Sequence, residues 1–232
     1  LSVGDITAMV IYQAAQPRPT TRQELAQLGV IPPLSAEELD QIKKGERIFS
    51  NTGCNSCHKP QLVINDPIFR EPSLNPNYRD KKFPAGQDPL SKGVDPLQPI
   101  TFDLTRDLPD NIISHQDGTT THLGNFQSDG KGAAIVRLFG DLKRHDMGPE
   151  LAESIDEAGT GAATFITKEL WGVGSTPPYL HDGRATTLTE AIRFHGGESA
   201  QSRDRFNALS QGEQESLITF LKNLVLYKAE EE

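Results

Sequence analysis

The sequence predicts a mainly α fold with long irregular loops, and two observations carry that expectation. Three Ser/Thr-x-x-Glu signatures stand at Ser35–Glu38, Thr187–Glu190 and Ser210–Glu213, each heading a run with apolar residues at helical spacing. From Lys59 to about Gly130 the chain is dense in Pro, Asp, Asn and Gly and nearly without periodicity. That segment is not low in complexity, so it reads as functional loop rather than linker.

In chain order, Asp5 to Ala15 reads as a helix broken by Pro17 and Pro19. A short helix follows around Arg22 to Leu28, closed by Gly29, and Pro32 and Pro33 punctuate again. Ser35 caps the next helix, with Leu39, Ile42, Ile48 and Phe49 as its apolar positions and Gly53 as its end. Ala133 to Leu142 fits a strand or a short helix, and Pro149 to Ile155 a short helix with proline at its first position. The helix after Thr187 carries Leu188, Ala191, Ile192 and His195 on one face and stops at Gly196 and Gly197. The last helix turns Leu217, Phe220, Leu221, Leu224 and Val225 inward. The organisation expected is an extension over residues 1–34, a main domain over 35–228 and a solvated acidic tail over 229–232.

Bulk properties narrow the function. A hydrophobic fraction of 35% with only 6% aromatics is lean for a purely protein core of 232 residues, and a buried prosthetic group would supply the missing apolar bulk. A formal net charge of -9 argues against nucleic acid and suits solubility or docking to a basic partner protein. No apolar run is long enough for a membrane-spanning helix. The chain begins at Leu1 without a basic n-region, which reads as a mature or excised product.

Both cysteines lie in Cys54-Asn55-Ser56-Cys57-His58, the C-x-x-C-H signature of covalent haem c attachment. Two thiols at this spacing add to the two vinyl groups on one porphyrin edge, and the next histidine then lies under the iron. A zinc half-site lacks a second cysteine pair, and a thioredoxin-like pair lacks a βαβ setting. One haem c with His58 as proximal ligand is therefore expected, and covalent attachment places the protein in the periplasm or another exported site. Gly45, Ile48 and Phe49 are expected against the ring. For the opposite face of the iron, His195 is the best patterned residue because it shares a face with Leu188, Ala191 and Ile192. Met147, in H-D-M-G, is its chief competitor.

The stretch L-W-G-V-G-S-T-P-P-Y-L-H-D-G-R-A-T-T-L-T-E-A-I-R-F-H-G-G-E, residues 170–198, resembles the di-haem cytochrome c peroxidase superfamily. Its nearest branch in kind is the di-haem, thiol-oxidoreductase-like one. Gly140 to Leu151 and the C-terminal run are similar to it as well. The resemblance implies a class I cytochrome c-like haem domain with a distal ligand at the end of the helix after H-D-G, where relatives often carry methionine and this chain has His195. It also places Tyr179, His181 and Arg184 near the haem, Arg184 and His181 facing a propionate, with Trp171 packing beside it as ring neighbour or core filler. Relatives carry two C-x-x-C-H motifs and this chain has one, so its beginning looks like the tail of a first haem domain. By analogy a calcium ion belongs to such proteins, but no local ligand pattern for one is present here.

The expected function is a monohaem, bis-histidine electron-transfer protein working with a redox partner. The alternatives are a peroxidase-like oxidoreductase and a haem module that docks on a catalytic protein, the latter motivated by the loops between Pro60 and Gly130.

Overall fold

The frame of the haem-motif region is a pair of helices brought unusually close by one glycine. The structure is a computed structural model and describes residues 3–83, 85–108, 111–157 and 159–226. Helix α3 (Ala36–Asn51) buries Ile42, Gly45, Ile48 and Phe49, the i, i+3, i+6, i+7 stripe of an amphipathic helix. Helix α6 (Gln211–Asn223) buries Ser216, Leu217, Phe220 and Leu221. A Cβ at Gly45 would lie 2.0 Å from the Ser216 carbonyl oxygen, so only glycine permits this crossing. Gly45 thus faces α6, where the sequence reading set it against the haem ring.

Two compact units divide the chain, Leu1–Arg18 with Val63–Val136 and Pro19–Leu62 with Arg137–Glu232. The second unit holds α2 (Arg22–Gln27), α3, α4 (Leu188–Arg193), α5 (Ala200–Asn207) and α6. Its core gathers Ile42, Ile48, Phe49, Phe139, Leu188, Phe206, Leu217, Phe220, Leu221 and Leu224. The rings of Phe49, Phe139 and Phe220 meet edge-on or tilted at 5.4–6.1 Å. Caps fix the helix starts. Thr187 and Glu190 form a reciprocal capping box on α4, and the Glu213 carboxylate accepts from the Ser210 N–H at 3.0 Å on α6. Ser35 accepts from the Glu38 N–H, while the Glu38 carboxylate pairs with Arg22 of α2 instead of closing a box.

Among the described residues, the first unit holds α1 (Val3–Ala14) and seven short strands. These are β1 (Leu62–Ile64), β2 (Ile68–Glu71), β3 (Ile100–Asp103), β4 (Ile112–Ser114), β5 (Thr120–His122), β6 (Gln127–Ser128) and β7 (Ala134–Val136). They form a three-stranded sheet in the order β1-β7-β6 and the antiparallel ladders β2-β3 and β4-β5. In the second unit β8 (Arg144–Asp146) pairs with β9 (Thr164–Ile166), His145 opposite Phe165.

These strands overturn the expected fold class. Helix accounts for 35% and strand for 15%, so the chain is mixed α/β with several small antiparallel sheets, not a mainly α, class I cytochrome c-like fold. The cause is strand length. Two to four residues are too few for a period of two to register against a loop background. One signal was present: Asp117-Gly118 between I-I-S and T-T-H is a hairpin pattern, and Gly118 adopts φ 84 there. The stretch 133–142 resolves as strand β7 followed by irregular chain, and the expected helix at Pro149–Ile155 is a single 3-10 turn over Pro149–Leu151. The acidic tail over 229–232 lies outside the described residues.

Candidate functional site

Cys54 and Cys57 sit directly after α3, where Gly53 turns the chain at φ 86 into the 3-10 turn Cys54–Ser56. The His58 N–H returns to the Cys54 carbonyl at 3.0 Å, so the motif is wound tightly and presents both thiols and the imidazole together. Both cysteines are free thiols and half-buried. Burial pushes the Cys54 thiol above its ordinary value, although the Thr52 hydroxyl at 3.3 Å works the other way.

The rings of His58 and His195 face each other across 6.4 Å, centroid to centroid, with planes inclined by 48°. Each Nδ1 bonds a backbone carbonyl: His58 to Phe139 at 3.0 Å and His195 to Ala191 at 2.8 Å. A carbonyl only accepts, so both Nδ1 atoms carry the proton and both Nε2 atoms keep their lone pair. That is the arrangement of metal-binding imidazoles, whose orientation comes from the bond on the other nitrogen. Desolvation, followed by the neighbouring His195, lowers His58 to about 4. Desolvation also lowers His195. Both imidazoles are therefore neutral at pH 7.

The other predicted residues have partners of their own in the second unit. Tyr179 packs on the core and donates to the Val173 carbonyl at 3.0 Å. Trp171 donates through its indole N–H to the Arg137 carbonyl. Arg184 is held by Asp182 at 2.6 Å and by the Glu150 carbonyl, and lies 5.7 Å over the ring of Phe194, the residue before His195. His181 stacks on Phe165 at 4.5 Å. Met147 is half-buried, and its sulfur lies 3.9 Å from the Ser199 hydroxyl. His115 and His122, in the first unit, bond Thr121 and Asp107.

Sequence reasoning missed one cluster. His145 lies between two carboxylates, Nδ1 at 2.8 Å from Glu198 Oε2 and Nε2 at 3.0 Å from Asp141 Oδ2. Its Nδ1 also stands 3.8 Å from Cys57 Sγ. Cys57, Asp141 and His145 place ligand atoms within 4.8 Å of one another. With both nitrogens donating, however, the imidazole has no lone pair for a metal and is a cation held by two anions. The bond to Glu198 chiefly, then Asp141, raises His145 above its ordinary value. Burial of Asp141 acts against its ionisation, but bonds from the Lys143 N–H, Thr167 and His145 outweigh it and bring Asp141 to about 2. The signal available was His145 itself, four residues after Asp141 in G-D-L-K-R-H-D-M-G.

Residues 114–224 match the family described as "Di-haem oxidoreductase, putative peroxidase". The match makes this part of the chain similar to the di-haem peroxidase-like family, which suggests a haem-containing, oxidoreductase or peroxidase-like function. His195, the H-D-G turn, Asp141, His145 and Glu198 lie inside the matched range; Cys54, Cys57 and His58 precede it. No curated protein and no solved structure matches the chain significantly. The family implies a haem cofactor, and the donor set fits one. Metal–imidazole bonds of about 2 Å on either side of one ion put the ring centroids about 6.3 Å apart, close to the 6.4 Å observed.

Proposed function

We propose that this chain carries one haem c, attached through Cys54 and Cys57 and ligated by His58 and His195, and that it transfers electrons to a partner protein in the periplasm or another exported compartment. The observation that carries the reading is the facing pair of imidazoles, 6.4 Å apart, each with Nδ1 committed to a backbone carbonyl. When bound, the haem supplies a one-electron couple. The chain's own residues do the rest. His58 and His195 would hold the iron through their Nε2 lone pairs and would leave no place on it for a substrate. Phe139 and Ala191 hold their rings by main-chain atoms that do not move independently of the fold. Two nitrogen ligands keep the potential below that of a His/Met pair in a comparable setting. The net charge of -9 suits docking to a basic redox partner.

Mass spectrometry of the denatured holoprotein tests the attachment. One haem mass stays on the chain, and Cys54→Ser with Cys57→Ser removes it. A wild-type chain that releases its haem on denaturation contradicts the reading. The family match favours a second reading, a peroxidase-like oxidoreductase in which His58 would hold the haem and His195 would give way to the substrate. Peroxide turnover by the intact protein with an electron donor would favour it; no turnover with any donor would leave electron transfer.

A further inference from the structure

Resting on the two-histidine reading, we propose that His145, clamped between Asp141 and Glu198, is a positioning residue that holds the segments carrying His58 and His195 at ligation distance. His58 and His195 are far apart in sequence, so their separation must be set by whatever ties their segments together. One stretch, residues 139–148, touches both. At its start, the Phe139 carbonyl accepts from His58 Nδ1 and the Gly140 N–H donates to the Lys59 carbonyl at 3.0 Å. At its end it meets the turn that follows His195. A Cβ at Gly196 would lie 2.7 Å from the Met147 carbonyl oxygen, and one at Gly197 2.2 Å from the Asp146 carbonyl oxygen. The two glycines that stop the helix therefore also let backbone lie directly on backbone.

Polar bonds then close this bracket. Glu198 spends both carboxylate oxygens on β8, Oε1 accepting from the Asp146 N–H at 3.1 Å and Oε2 from His145 at 2.8 Å. The other nitrogen of His145 reaches back to Asp141, whose carboxylate is 8% exposed and also accepts from the Lys143 N–H at 2.9 Å. His145 thus joins the His58-gripping end of the bracket to the His195-bearing turn. Phe165 lies opposite it on β9, and Cys57 Sγ lies 3.8 Å away beside His58. A carboxylate–imidazolium–carboxylate chain spans such a gap with direction as well as charge, which apolar packing alone lacks.

The test uses the haem-loaded protein and cyanide as the probe of how readily His195 leaves ferric iron. Wild type comes first. A low-spin, bis-imidazole resonance that resists cyanide sustains the ligation reading, and any other wild-type spectrum ends that reading before His145 is at issue. With wild type as expected, His145→Phe and the exposed Glu198→Gln keep attached haem but bind cyanide about 10- to 100-fold faster. In the His145→Phe background Glu198→Gln adds little, because both act through one clamp. If His145→Phe fails to fold, Glu198→Gln alone decides. Cyanide binding at the wild-type rate, or a lowered melting temperature with unchanged ligand exchange, overturns the proposal.

Discussion

The first unit's His115 and His122 and the second unit's facing pair use their nitrogens differently. In the first, exposed His122 bonds the Asp107 carboxylate and exposed His115 the Thr121 hydroxyl, both side-chain partners. In the second, His58 and His195 give Nδ1 to main-chain carbonyls and sit where desolvation keeps them neutral. Desolvation keeps such an imidazole neutral against the opposing pull of its carbonyl bond, and that bond on Nδ1 leaves Nε2 aimed and free to donate its lone pair. Residue type therefore says little about which histidine is a ligand, and the partner of the other nitrogen says much.

The largest expected effect breaks this contrast directly. His195→Ala converts the ferric haem from low-spin to high-spin, while His122→Ala leaves the optical spectrum unchanged. An altered spectrum in His122→Ala would erase the distinction between the units. Stability should follow the same division. Leu217 is 1% exposed within the ten-residue core, and Leu217→Ala costs about 2–5 kcal/mol in denaturant unfolding. Ile112, half-buried on a three-residue strand, costs about 1 kcal/mol as Ile112→Ala.

A smaller effect concerns pH. His145 is raised above 6.5, so its contribution is full below that pH and lost as pH rises through the raised value. Asp141 is lowered from 3.8 to about 2, so its contribution is full above 3.8 and lost as pH falls toward 2. The melting temperature is therefore expected to be highest between these limits, and Asp141→Asn to flatten the acid limb. The smallest effect belongs to the exposed Asp66–Arg70 pair of the first unit, where Asp66→Asn leaves the melting temperature unchanged.

Much of the helical frame was legible in the sequence. Ser35, Thr187 and Ser210 stand at the heads of α3, α4 and α6 because capping chemistry is local and needs only the next three residues. The C-x-x-C-H pattern marked Cys54, Cys57 and His58 for the same reason. The strands were hidden by their length, and the role of Gly45 by its partner, which lies on a helix distant in sequence. Two features of the site leave no sequence trace. The Phe139 carbonyl that orients His58 belongs to the main chain, and Phe139 reaches its place at φ 52, a left-handed conformation that phenylalanine does not advertise. His145 finds Glu198 only after the turn following His195 folds onto β8, which no local pattern encodes.

Electron paramagnetic resonance of the ferric wild-type protein, beside its optical spectrum, tests the central claim most directly. Ligation by His58 and His195 predicts a purely low-spin, bis-imidazole signal with no methionine charge-transfer band. A substantial high-spin signal would contradict it by revealing an open iron, and a methionine band would contradict it by moving the ligand to Met147.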